Sequence, residues 1–420
     1  MVVPSDDQSE EDAPVNNKSV TSGKLNGQSS KINRSNPQHM SYRKPTVSLF
    51  IFFLCVPLLL GSMYKSGEPE VTSEDSTGKI KVQQRFIAID NVCAWPNLTV
   101  LEDGTIIATI FNQPSHARKE GDVECWASTD GKTWQKRGIP AKHEPSANRM
   151  NVAAGLAQNG DLLVLASGWS LKISDSTTSL GQVLPPLVSR SSDGGTHWLA
   201  EQQAFPVAEA DMTEFIPFGD ILPGEDGSLR AMAYAVSEGR THNIVAMFRS
   251  DDDGFHWQHM ATLSDGQGDT AYSQGHNETA MLHLGRGQWI AAARRWKAGQ
   301  ALDLFRSEDD GKTWFLDQPL TEEMRHPAHL LQLKNRELLL TYGKRVAGEY
   351  GIAVKKSTDA GKTWTDERVL LGNFPDQDMG YPSSVQLADG NILTAYYASD
   401  VESHQRYHMG VVLWEWMADE

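Results

Sequence analysis

Positive charge, cysteine and long apolar runs are all scarce in this chain, and each scarcity removes a class of function. Thirty-eight lysines and arginines stand against 54 aspartates and glutamates, a net charge of −16. Nucleic-acid binders need basic surface to displace condensed counterions, so no nucleic-acid partner is expected. The same acidity repels anionic glycans, so an acidic substrate has to be met by locally placed arginines. Only three cysteines are present, and their spacing makes no zinc pattern. Cys55 falls in an apolar stretch; Cys93 and Cys125 either form one disulfide or lie as separately buried thiols.

Long apolar runs are limited to one. Residues 1–44 are polar, without apolar periodicity, and read as a disordered tail. Residues 45–64, "PTVSLFIFFLCVPLLLGSMY", carry no charge and are about long enough for one membrane span. Arg43 and Lys44 flank the N-terminal side, which puts the tail in the cytoplasm and everything after Tyr64 outside. A rival reading starts at Met40, from which a basic, an apolar and a small-residue region follow as in a cleaved secretory signal. Anchor or signal, the segment exports the same domain to the periplasmic or extracellular side; 65–78 is a linker and 79–420 the domain itself.

What the chain does have is repetition. "SEDDGKTW", Ser307 to Trp314, recurs as "SSDGGTHW", "SDDDGFHW" and "STDAGKTW", with a shorter "STDGKTW" ending at Trp134. The five tryptophans are separated by 64, 59, 57 and 50 residues. Out of phase with these boxes runs a second repeat, an apolar run, an Asp/Asn-Gly-type turn and another apolar run. It appears six times, from "LTVLEDGTIIATIF" to "SSVQLADGNILTAYYA". Alternating β-branched and aromatic residues around a short turn signal a hairpin. Each unit of about 55 residues thus holds a hairpin, a third strand, the box and a fourth strand, and four-stranded units repeated radially make a β-propeller. The expected fold is all-β and six-bladed. "KIKVQQRFIAID", Lys79 to Asp90, has no other partner and is expected to complete the last unit and remove exposed edges. Five copies of a box at this period belong to the architecture and not to catalysis. No bidentate glutamate completes a calcium loop, and no metal or cofactor is expected.

The boxes resemble the Asp-box (BNR) repeats of the sialidase superfamily, over about Lys79 to the C-terminus. In "NETAMLHLGRGQWIAAARR", Glu278 precedes a hairpin and Arg294 ends its second strand, similar to the sialidase glutamate and one arginine of its carboxylate-binding triad. In "YPSSVQLADGNILTAYY", Tyr381 stands eight residues before Asp389-Gly390, as the family's nucleophilic tyrosine does. The resemblance implies a glycoside hydrolase acting on a glycan, with Tyr381 as nucleophile, Glu278 as its base and Arg294 as a substrate clamp. A phenol needs a basic neighbour to become nucleophilic, and a carboxylate can take its proton.

Departures accompany the matches. Ala94, in "CAWPNLTVL", occupies the place of the family's first arginine. At the third, "GEYGIAVKKS" offers Glu349, with Arg345 and Arg325 as substitutes. His116, Glu120 and Asp122, in "FNQPSHARKEGDVECWAS", compete for the general acid. Arg149, Asp220, Arg325, His326 and His329 lie near starts of inner strands and are expected around the pocket as substrate-binding groups. Two other readings stand beside the hydrolase: a uronate polysaccharide lyase that uses Tyr381 with a histidine such as His329, and a non-catalytic glycan-binding propeller.

Overall fold

The computed structural model describes residues 79–417, except 175–176, 210–211, 238–241, 267–273, 298 and 403. The tail, the apolar segment and the linker expected over 1–78 lie outside the described residues. Among the described residues no helix is long and apolar enough to cross a membrane. The described chain is all β.

Each apolar–turn–apolar repeat forms an antiparallel hairpin. The six pairs begin at Cys93–Val100 with Ile106–Phe111, Asn151–Leu156 with Leu162–Ser174, and Met212–Pro223 with Leu229–Ser237. They continue at His276–Gly285 with Gln288–Arg295, Arg325–Gln332 with Leu338–Lys344, and Gly380–Gln386 with Ile392–Ala398. A third and fourth antiparallel strand follow each of the first five. In the sixth, the third strand His408–Trp416 pairs with Ile80–Asp90, so the first strand of the described chain supplies the missing fourth. Four sheets hold four strands; a fifth, of nine strands, contains two such units joined where Ala153–Gly155 runs parallel to Gly219–Ile221.

The boxes are the turns between third and fourth strands. In the copy at Ser307, the Ser307 hydroxyl donates to Asp309 at 2.9 Å and accepts the Gly311 N–H, while Asp309 accepts the Thr313 N–H. Trp314 Nε1 donates to the Gly311 carbonyl at 3.0 Å. Gly311 sits at φ +83°, which a side chain would strain. The same serine, aspartate and tryptophan bonds recur at Ser357, where Asp359 accepts from Thr363. These acids satisfy turn backbone, as the repetition predicts.

Apolar layers lie between successive units. Val123 packs with Val152 and Val164, Leu165 with Phe215 and Phe248, and Met247 with Trp289. Leu304 packs with Leu330, Leu339 with Ile392 and Trp414, and Leu393 returns to Leu98 and Ile106 of the first unit. Each fully buried leucine or phenylalanine contributes about 1.5–3 kcal/mol. Cys93 and Cys125 are separate buried thiols, which decides between the two readings of that pair.

Candidate active site

The first strands of the units meet. A small cavity of about 20 Å³ is lined by Trp95 and Asn97, Val152, Phe218, His329, and Tyr381, from five different units. Thr279 and Ala280 of the remaining unit lie against Gly219 beside it. Several of these strands are bulged near their starts: between Cys93 and Asn97, His276 and Thr279, Arg325 and Ala328, and Gly380 and Ser383. A bulge breaks the two-residue alternation and re-aims a side chain. Glu278 and Tyr381 both stand inside such bulges, and Tyr381 adopts φ +49°, a left-handed conformation that costs a bulky residue about 1–3 kcal/mol.

That strain places the phenol on a carboxylate. The Tyr381 hydroxyl donates to Glu278 Oε1, and Arg294 Nη1 donates to Glu278 Oε2 at 2.6 Å. All three side chains are buried, Tyr381 to 5% exposure. Arg294 Nη2 donates to Gln300 Oε1 at 2.7 Å. Arg345 lies with its guanidinium carbon 5.3 Å from the Tyr381 ring centroid, and its Nη2 donates to the Met379 carbonyl. Burial and the Glu278 charge push the phenol well above its ordinary pKa, against the opposing pull of Arg294 and Arg345. Burial opposes the charge of Arg294, but Glu278 outweighs it and raises its pKa. At rest the phenol is therefore neutral, with its hydroxyl held on the Glu278 carboxyl group.

Of the residues singled out in the sequence, the fold brings Tyr381, Glu278, Arg294 and Arg345 together, with His116 one ring away. Trp95 stacks on Tyr381 at 5.0 Å between centroids and meets His116 edge-on at 5.9 Å. The others have partners of their own. Asp122 is bound to His143, Nδ1 to Oδ1 at 2.5 Å, and Glu120 accepts the Ser146 N–H. Arg149 is buried against Glu144 and the Pro185 carbonyl, within its own unit. Arg325 is taken up by Glu367 and Glu322. His329 lines the cavity with Tyr381 and pairs with Asp220 at 3.2 Å; Asp220 also accepts from Asn97, and His329 Nδ1 accepts the Ser384 N–H. This network ties four units together.

Ala94 and His326, both singled out in the sequence, lie here, and several neighbours were missed: Trp95, Asp378, Tyr397 and Tyr407. Ala94 is fully buried and contributes no charge, while the adjoining Trp95 covers the phenol. His326, 1% exposed, has both ring nitrogens unpartnered. Burial first, then Arg294 and Arg345, push its pKa well below the ordinary imidazole value, so it is neutral. Asp378, Tyr397 and Tyr407 gather beside His116. Only the nearness of Asp378 to Tyr381 in the chain hinted at it.

Residues 104–394 match the family model described as the BNR repeat-like domain. No curated protein matches the sequence. Among solved structures, a protein of unknown function from Dyadobacter fermentans is similar, with a TM-score of 0.68 and 22% identity over 81% of this chain and 100% of that one. Trypanosoma rangeli sialidase is similar at 0.58 and 16%, over 84% of this chain. A K499G mutant of NanB sialidase from Streptococcus pneumoniae is similar at 0.58 and 14%, over 82%. The chain spans 58% and 69% of those two sialidase chains.

Proposed function

The chain belongs to the BNR repeat-like domain family, with a sialidase-like fold, and from that premise we propose that it is an exo-acting glycoside hydrolase removing a terminal acidic sugar, sialic acid or a relative, from glycans. The observation that carries the reading is the shared carboxylate: Glu278 takes the Tyr381 hydroxyl on one oxygen and Arg294 on the other. Tyr381 is the nucleophile, Glu278 takes its proton, and Arg294 and Arg345 face the substrate's carboxylate. A neutral phenol attacks without the repulsion that a carboxylate nucleophile would meet from an acidic sugar. Because Ala94 supplies no third guanidinium, the substrate class extends beyond sialic acid to related acidic sugars. The six units act as blades around an axis, and the layers that run from the sixth unit back to the first support that closure. On the reading of residues 45–64 the domain works outside the cytoplasm.

The lyase reading has less support, because His329 spends Nε2 on Asp220 and Nδ1 on the Ser384 amide. The test is to incubate the full chain with sialosides and uronate polymers and weigh the products. A fluorinated analogue of whichever sugar is released should then leave a glycosyl adduct that peptide mapping locates on Tyr381. An unsaturated uronate product, or glycan binding with no released sugar, overturns the proposal.

A further inference from the structure

The second unit has longer strands than the others. Its second and third strands, Leu162–Ser174 and Thr177–Ser191, run for 13 and 15 residues, where the corresponding strands of the other units have six to nine. The surplus lies at the end that carries the site. Ser167 stands opposite Asn151, where the first strand of the unit starts, so 168–174 and 177–184 continue past the strand starts as an arm. At about 3.3 Å per residue the arm extends about 20 Å. It is anchored at its base. The Asn148 N–H donates to the Trp169 carbonyl at 2.9 Å, and the Trp169 N–H donates to Asn148 Oδ1 at 3.0 Å. The Leu171 N–H donates to the Ser146 carbonyl at 2.7 Å, and Arg118 Nη1 to the Thr178 carbonyl at 3.2 Å. Gly168 permits this approach, since a Cβ there would lie 1.9 Å from the Asn148 carbonyl oxygen.

The two faces of the arm differ. Trp169 stands opposite Val183, Leu171 opposite Leu180 and Ile173 opposite Thr178, and two-residue alternation gathers these pairs on one face without a charge. Lys172 with Ser179, and Ser174 with Thr177, share the other face. The apolar face begins at the site: Trp169 and Leu180, both half-buried, pack against the cluster that holds Tyr381 and Met150, as do Trp95 and Phe218. It ends in water, with Ile173 64% exposed. An uncharged apolar strip that continues out of a site lined by arginines matches the C–H faces of neutral sugar rings and offers nothing to a second acidic sugar.

We propose that this face is the leaving-group wall of the site, along which the neutral sugars linked to the terminal acidic one lie against Trp169, Leu180 and Ile173; this rests on the hydrolase reading above and adds what the site selects beyond the sugar it releases. Only a glycan with several residues reaches these contacts. Their binding energy therefore favours an oligosaccharide over a simple glycoside of the same terminal sugar.

The test compares kcat/KM of the full chain on two glycosides of the released sugar, one ending in a methyl group and one in a neutral oligosaccharide. Trp169→Ala should lower the oligosaccharide-to-methyl ratio roughly tenfold or more, the loss typical of a buried tryptophan anchor. Ile173→Ser combined with Leu180→Ser leaves Trp169 and its anchoring bonds in place, which guards against a misfolded arm, and should lower the ratio about three- to tenfold. Lys172→Ala combined with Ser179→Ala, on the polar face, should keep the wild-type ratio. A ratio unmoved in both apolar-face variants, or moved as far by the polar-face pair, overturns the wall while leaving the hydrolase standing. A wild-type chain that hydrolyses neither glycoside overturns both.

Discussion

Replacing Glu278 by glutamine tests the central pair most directly, because geometry sets both the size and the pattern of the effect. Glu278 and Arg294 are buried, and Glu278 is the one carboxylate bonded to Arg294 among the described residues, at 2.6 Å. Glu278→Gln leaves a buried guanidinium with the neutral Gln300 as its named partner. Removing one member of a buried ion pair costs about 3–5 kcal/mol, because the other charge stays desolvated and uncompensated. For a domain of about 340 residues the unfolding entropy is roughly 0.7 kcal/mol per kelvin, so Tm should fall about 4–7 °C. Adding Arg294→Met removes the orphaned charge, and the double variant should regain about half or more of the lost stability. Turnover should not return: without the base it stays down by about 10²–10⁴-fold in either variant. Thermal unfolding followed by near-UV circular dichroism, with released sugar measured by mass, reads both quantities. A single variant within about 0.5 kcal/mol of wild type would refute the buried pair, a typical surface-substitution effect. A double variant that regained turnover along with stability would refute the role of Glu278 as base.

Tyr381→Phe keeps the ring under Trp95 and beside Arg345 and loses only the bond to Glu278. It should cost about 1.5–3 kcal/mol of stability and at least about a thousandfold in kcat, measured by urea unfolding and product release. Full turnover in that variant would remove the nucleophile from the mechanism. Hydrogen bonds from the Thr363 backbone and hydroxyl lower the Asp359 pKa to about 2. Because the folded value lies below the unfolded one, this contribution is complete above about pH 4 and fades as pH falls toward the folded value. The urea midpoint difference between wild type and Asp359→Ala should therefore be largest at neutral pH and shrink between about pH 4 and 2; a constant difference would mean that Asp359 titrates normally.

Local signals and spatial ones behaved differently. The hairpins, the turn role of Ser307, Asp309 and Trp314, and the pairing of Ile80–Asp90 with the last unit were legible because each rests on short-range alternation, turn chemistry or a repeat left one strand short. The Tyr381, Glu278 and Arg294 cluster was legible only through resemblance to a family, since 103 residues separate Tyr381 from Glu278. Being near the start of an inner strand was too coarse a rule for Arg149 and Arg325. Strand register gives a face but not the partner that a long side chain will choose, and Glu144 and Glu367 claimed them.

The sequence alone determined an all-β chain of six hairpins with structural acidic turns, because periodicity and turn residues act over a few positions and need no distant partner. Tertiary structure alone decided which charges meet. It turned Glu278 and Tyr381 toward each other through strand bulges, set Arg345 by the phenol, and joined His116 to Asp378 across 262 residues. Burial and pairing are properties of the packed whole, so no stretch of the chain read by itself contains them.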